Sequence, residues 1–170
     1  IIVPHMFGFP AEIDKIKKLA NKYNTATIED CALSLGAYYK NKPVGSFGDI
    51  SIFSFYATKV ISTGQGGMLV TNSKNLFNKI EDLMQYDKRK KYKVAYNYGL
   101  SDIQAALGIS QLNKLPFFIK RRKQIAKKYN KAFKELPITL PPNSKDSFPY
   151  RYILKFKDKK SRDALENYLK

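Results

Sequence analysis

The apolar positions of this chain fall into short runs near its start and into long helical stripes further on. Ile1, Ile2 and Val3 form a β-branched run stopped by Pro4, which predicts a short buried strand. Pro10 then opens a helix over PAEIDKIKKLANKYN: Glu12 and Asp14 fall in its first turn, and Ile13, Ile16, Leu19, Ala20 and Tyr23 share one face. TATIEDCA reads as the next strand, ending on acids, and AYYKNKPVGSFG as a turn-rich link with a small hairpin across KNKP. DISIFSF is a buried strand and GGMLVTN a short, glycine-led one. SKNLFNKIEDLMQY is a helix with Ser73 or Asn72 as its N-cap.

This order of strands and helices predicts an α/β layer, a mainly parallel sheet flanked by helices. From LSDIQAALGISQL the pattern turns helical as far as about Leu136. Ser101 caps the stretch, Ile103, Ala106, Leu107, Leu112 and Leu115 form its stripe, and Pro116 must divide or bend it. PITLPPNSKDSFPY is a proline-rich connector of the kind that leaves a domain, after which RYILKFK and KKSRDALENYLK supply one strand and one helix. The expected division is a large domain over residues 1–136 and the start of a small α+β domain over 137–170.

Composition narrows the class. Apolar residues make up 44% of the 170, enough for a real core and against disorder. One cysteine, Cys31, excludes an internal disulfide and fits a reducing compartment; with a single histidine, His5, it also disfavours a soft-ligand metal site. No apolar run approaches the roughly 20 residues of a membrane span. The opening IIVPHMFGFP lacks the basic flank of a signal peptide, so the expectation is a soluble, cytoplasmic chain. The charge is lopsided: 31 Lys and Arg against 14 Asp and Glu give +17, densest in KRKKYK (88–93) and KRRKQIAKK (120–128). Such runs are read first as solvated faces, with a nucleic acid or a phosphate-bearing small molecule as the alternatives.

In parallel sheets ligands gather at the carboxyl ends of the strands, and two chemically capable residues fall there. Lys59 follows the apolar run of FSFYATK, where a partly desolvated amine with a fixed approach is suited to Schiff-base chemistry. Asp30, in IEDCA, can hold a protonated pyridine nitrogen, while Glu29 by alternation points to the other face. Ser54 and the STGQGG loop offer hydroxyls and backbone N–H groups to an anion. Taken singly, Lys59 reads first as an ordinary strand-end lysine, Asp30 as a helix cap or salt-bridge partner and Asn97 as a turn residue.

Taken in order, HMFGFPAEI, IEDCALSLGAYYKNKPVGSFGDISIFSFYATK, GQGGMLVTN and YNYGLSDIQAALGISQL closely resemble the DegT/DnrJ/EryC1/StrS family over roughly residues 1–135. These are pyridoxal-phosphate-dependent sugar aminotransferases of the aspartate aminotransferase fold. The resemblance implies that Lys59 carries pyridoxal 5'-phosphate covalently, Asp30 faces its ring nitrogen and Ser54 holds its phosphate. Asn97 would reach the phosphate of a neighbouring subunit's cofactor, in a homodimer with shared active sites. It further implies transfer of an amino group from a donor such as glutamate to a nucleotide-linked keto-sugar, with neither a nucleic acid nor a membrane as partner. Three positions depart from the family pattern: Leu33 where Gln or His contacts the cofactor ring, Gly99 where arginine is frequent, and Gln65 where Glu is frequent. Family members also carry an N-terminal segment before the first motif found here. The chain therefore reads as the middle of such an enzyme, with a non-catalytic remnant as the alternative.

Overall fold

The computed structural model describes residues 1–87 and 91–170, so part of the basic run over 88–93 lies outside the described residues. In chain order the elements are β1 (Ile2–Pro4), α1 (Ile13–Lys22), β2 (Ile28–Asp30), β3 (Tyr38–Tyr39), β4 (Lys42–Pro43), β5 (Ile50–Ser54) and β6 (Gly67–Val70), followed by α2 (Lys74–Met84), α3 (Asp102–Ala132), β7 (Ile138–Thr139), β8 (Lys155–Phe156) and α4 (Lys159–Leu169). β1, β2, β5 and β6 make the central sheet in that order. The first three are parallel, with Ile28 opposite both Ile2 and Ile50, and β6 returns antiparallel with Gly67 opposite Ser54. The sheet is therefore mixed but mainly parallel. Its topology brings the carboxyl ends of β1, β2 and β5 and the amino end of β6 to one edge.

Glu29, at the centre of β2, is fully buried and gathers the chain around it. Its Oε1 accepts N–H groups from Phe47 at 2.7 Å and Gly48 at 2.5 Å; its Oε2 accepts Gly45 N–H at 2.8 Å and His5 Nε2 at 3.0 Å. His5 Nδ1 in turn accepts Ala11 N–H at 3.0 Å, so Nε2 carries the proton it gives to Glu29. Burial by itself would raise the Glu29 pKa. The His5 contact and the three backbone N–H groups outweigh it and hold the carboxyl at about 2. Cys31 lies close by, and burial pushes its thiol up to about 12. Although the ligand atoms of His5, Glu29 and Cys31 lie within 4.8 Å of one another, both histidine nitrogens and both carboxylate oxygens already have donors or acceptors. The cluster is a hydrogen-bond hub.

The hairpin expected across KNKP is present as β3 and β4, turned by Lys40 and Asn41, both with positive φ. Asp14 of α1 ties it down by accepting Tyr39 Oη at 2.6 Å and Lys40 Nζ at 2.5 Å. At the other side of α1, Lys17 Nζ reaches Asp49 at 2.9 Å; Asp49 also accepts Thr27 N–H, at 2.7 Å. Of the apolar face expected on α1, Ile13 and Ala20 are buried, whereas Leu19 and Tyr23 are 52% and 66% exposed.

The proline-rich connector folds back on the sheet. Phe148 and Tyr150 join Cys31, Ala37 and Val44 in one core cluster. Tyr150 N–H donates to Phe7 O at 2.8 Å and Phe148 N–H to Gly8 O at 3.3 Å. Gly8 has φ +89°, and a Cβ there would lie 1.9 Å from Phe148 O, so only glycine lets the two segments meet. α3 is one helix, 31 residues long, with a Ser101–Gln104 capping box and Pro116 inside it. The division considered at Pro116 does not occur: the proline withdraws the donor for one carbonyl, that of Leu112, on a mostly exposed stretch of the helix. The stripe expected in the first half of α3 is not core, since Ile103 is 85% and Leu112 51% exposed; α3 buries Ala126 in its second half.

Two outcomes follow from the Glu29 hub and one from the Gly8 crossing. Glu29→Gln replaces an acceptor oxygen by an NH₂ group that faces N–H donors, and is expected to cost about 3 kcal/mol in urea unfolding. Because the folded pKa of Glu29 lies below the ordinary 4.5, its contribution is complete above pH 4.5 and is lost as pH falls through about 2. Wild-type stability should therefore decline across that window, and a Glu29→Gln protein measured at the same pH values should decline less. Gly8→Ala should destabilise by about 3 kcal/mol. Hydrogen exchange at the Phe148 and Tyr150 amides should accelerate with it; unchanged protection there would refute the crossing.

Candidate active site

The carboxyl end of the parallel strands carries the sequence-predicted residues Asp30 and Ser54, which close β2 and β5. The strands are neighbours: Asp30 stands opposite Ile52, and Cys31 N–H donates to Ile52 O at 2.9 Å. Ser54 lies one pleat beyond that point on the same face as Ile52. Asp30 is half-buried, and its Oδ1 accepts Ala32 N–H at 3.0 Å. Its Oδ2 has no partner among the described residues. Among the described residues Ser54 Oγ is engaged only by Tyr56 N–H, at 3.4 Å.

Lys59 sits in the connection from β5 to β6 at this same end. The loop is closed by Phe55 N–H to Gly66 O at 2.8 Å and Thr63 N–H to Phe55 O at 2.9 Å, and Lys59 N–H makes a turn onto Tyr56 O at 2.9 Å. Gly66, with φ +151°, adopts a conformation closed to other residues; a Cβ there would lie 2.5 Å from Thr63 Oγ1. This is the local reason for the glycines that follow Lys59. The lysine is half-buried, and among the described residues its Nζ has no carboxylate partner. It faces instead the ring of Tyr150, 5.9 Å away.

Tyr150 and Arg122 are the residues that sequence reasoning missed. The Tyr150 hydroxyl donates to Thr58 O at 2.8 Å, fixing the backbone immediately before Lys59. Arg122 Nη1 donates to Tyr150 O at 3.0 Å, and its guanidinium lies 5.7 Å from the same ring. Tyr150 sits 91 residues from Lys59 inside a connector, where no periodicity marks it, and Arg122 is one cation in a run of several. The structure does not bring Asn97 to this group. It is exposed, in the irregular segment before α3, beside the stacked rings of Tyr96 and Tyr98.

The departures also have definite places. Leu33 is half-buried and packs against the core cluster of Cys31, Phe148 and Tyr150. Gly99 faces open space, and the Gln65 carbonyl accepts Thr63 Oγ1 at 2.6 Å and Gln104 Nε2 at 3.0 Å. The donor set suits a pyridoxal phosphate: a primary amine with no acid to neutralise it, a carboxylate with one oxygen unused, and a weakly engaged hydroxyl, all at one sheet edge. No helix among the described residues is long and apolar enough to cross a membrane.

Known proteins resemble this chain in sequence and in fold. The family model described as DegT/DnrJ/EryC1/StrS aminotransferase matches residues 1–170. An uncharacterized protein, MJ1066, of Methanocaldococcus jannaschii is 42% identical over 169 residues, 91% of this chain and 44% of that protein. GDP-perosamine synthase of Escherichia coli O157:H7 is 37% identical over 176 residues, 99% of this chain and 48% of the enzyme. Among solved structures, Helicobacter pylori PseC, an aminotransferase involved in pseudaminic acid biosynthesis, superposes with a TM-score of 0.89 at 32% identity, covering 98% of this chain and 47% of PseC. The chain thus spans about half the length of the relatives it matches. It belongs to the DegT/DnrJ/EryC1/StrS aminotransferase family.

Proposed function

We propose that this chain carries the cofactor-anchoring part of a pyridoxal-phosphate-dependent aminotransferase acting on a nucleotide-linked keto-sugar, with glutamate or a similar amino acid as donor. The observation that carries the reading is the Lys59 amine, left without an acid partner at the sheet edge it shares with Asp30 and Ser54. Lys59 would hold the cofactor's aldehyde carbon, Asp30 its ring nitrogen through the unused Oδ2, and Ser54 its phosphate. Bound there, the cofactor supplies an electron sink for charge developing on the substrate carbon.

The side chains do the rest. Released from the cofactor when the substrate's amine takes its place, Lys59 Nζ would move the proton that leaves the substrate carbon, and Tyr150 holds the turn from which the lysine projects. Asp30 keeps a proton on the ring nitrogen. The excess of 31 basic over 14 acidic residues favours approach of an anionic nucleotide-sugar. Asn97, exposed and away from Lys59, is read as serving a second copy's site in a homodimer. Apolar residues left open in a single copy, Met68 at 53% and Ile103 at 85% among them, support such an association. Residues 1–136 would be part of the large domain and 137–170 the start of the small one, with 146–150 as the strap between them. A cytoplasmic setting suits the single free thiol.

The test is covalent trapping. The protein incubated with pyridoxal phosphate and reduced with borohydride should carry one label, on the Lys59 peptide, and Lys59→Ala should abolish it. Label scattered over many lysines and unchanged by the substitution would overturn the reading in favour of a non-catalytic remnant.

A further inference from the structure

The basic run over 120–128 plays no part in the site just described, apart from Arg122, yet the fold gives one face of it a definite setting. Lys120, Lys123 and Lys127 recur at helical spacing on α3. The returning connector runs beside that face, and between them lies a cavity of about 320 Å³ lined by Lys123, Lys127, Asn130, Lys145, Ser147 and the prolines of residues 141–149. Its volume falls within the range of small-molecule sites. A second, more apolar hollow beside Leu115, Pro116 and Ile119 shares Lys123, Lys127 and Lys145 with it.

The charged side chains that line the cavity are all lysines. Lys123 Nζ uses one N–H on Lys145 O, at 2.6 Å, and has two left. Asn130 Oδ1 is taken by the Tyr152 hydroxyl at 2.5 Å, so its NH₂ group is what it can offer a ligand. Lys127 and Lys145 have no acid partner among the described residues, and no carboxylate lines the cavity. Ser147 is the decisive residue: it is 2% exposed, and its Oγ has no hydrogen-bond partner among the described residues. A buried hydroxyl left unpaired costs about 1–3 kcal/mol, and a rotation of the side chain that turns the Oγ toward the cavity lets an incoming acceptor remove that cost.

We propose that this cavity binds the phosphoryl or diphosphoryl group of a small phosphorylated molecule, at a site distinct from the Lys59 group. Three ammonium groups supply the charge, and Ser147 Oγ and the Asn130 amide orient the oxygens. None of Lys59, Asp30 or Ser54 lines it, so binding here and cofactor trapping at Lys59 can be measured independently.

Inorganic pyrophosphate is the probe, titrated calorimetrically into the protein at about 0.15 M salt, where exposed charges are largely screened. One equivalent should bind. Lys127→Glu should weaken it about tenfold or more, and Ser147→Ala about threefold, while Lys18→Glu on exposed α1 should leave it unchanged. Lys123, Lys127 and Lys145 should be protected from acetylation by pyrophosphate, and Lys18 not. Borohydride labelling of Lys59 should be retained in Lys127→Glu, which shows that the variant is folded. Absence of pyrophosphate binding, or equal weakening by Lys18→Glu, would overturn the proposal. So would tighter binding of a single-stranded oligonucleotide with a steep salt dependence, which would make this face a nucleic-acid surface.

Discussion

A carboxylate with no access to water holds this molecule together. Glu29 is buried in the middle of a three-residue strand, where an uncompensated charge would be prohibitive. It is tolerated because the backbone of residues 45–48 and the imidazole of His5 converge on it. That demand shapes its surroundings. The link after the hairpin must turn its N–H groups inward, and His5 must present Nε2 while Ala11 occupies Nδ1. β1, β2 and the approach to β5 are thereby locked in register by a polar hub, where strands this short offer little apolar area to do so.

Alternation then sets the chemistry. With Glu29 committed to the interior, its neighbour Asp30 points the other way at the strand's carboxyl end, and the parallel register places Ser54 on the adjoining strand. The antiparallel return of β6 brings the Lys59 loop to the same edge. One acid is thus buried in the hub, while its neighbour in sequence stands half-buried at the strand's carboxyl end. The strap over 146–150 completes the arrangement: it crosses Gly8, fills the core with Phe148, and sets Tyr150 against the turn before Lys59.

Much of this was legible beforehand. The short β-branched runs, the KNKP hairpin and the Ser73 and Ser101 caps follow from local pattern, because each depends on residues within a turn or two of one another; the mainly parallel sheet, whose partners such as Ile2 and Ile28 lie far apart, follows from the order of strands and helices. Lys59, Asp30 and Ser54 stood out through the ordered motifs around them. The reach of the apolar stripes was less legible. Periodicity marks which residues share a face, but Ile103, Leu112, Leu19 and Tyr23 remain exposed because burial needs a second surface long enough to cover them.

The sequence by itself determined most of the local elements and the family, and it singled out strand-end residues as candidates for the site. Only the tertiary structure decided that Glu29 is a hub, that Tyr150 and Arg122 stand beside Lys59, and that the lysines of α3 meet an unpaired Ser147 hydroxyl across a cavity. Those pairings join residues from 16 to 92 positions apart. Hydrogen bonds at such separations leave no periodic trace in the chain, since each forms only once the sheet edge and the returning connector have been brought together.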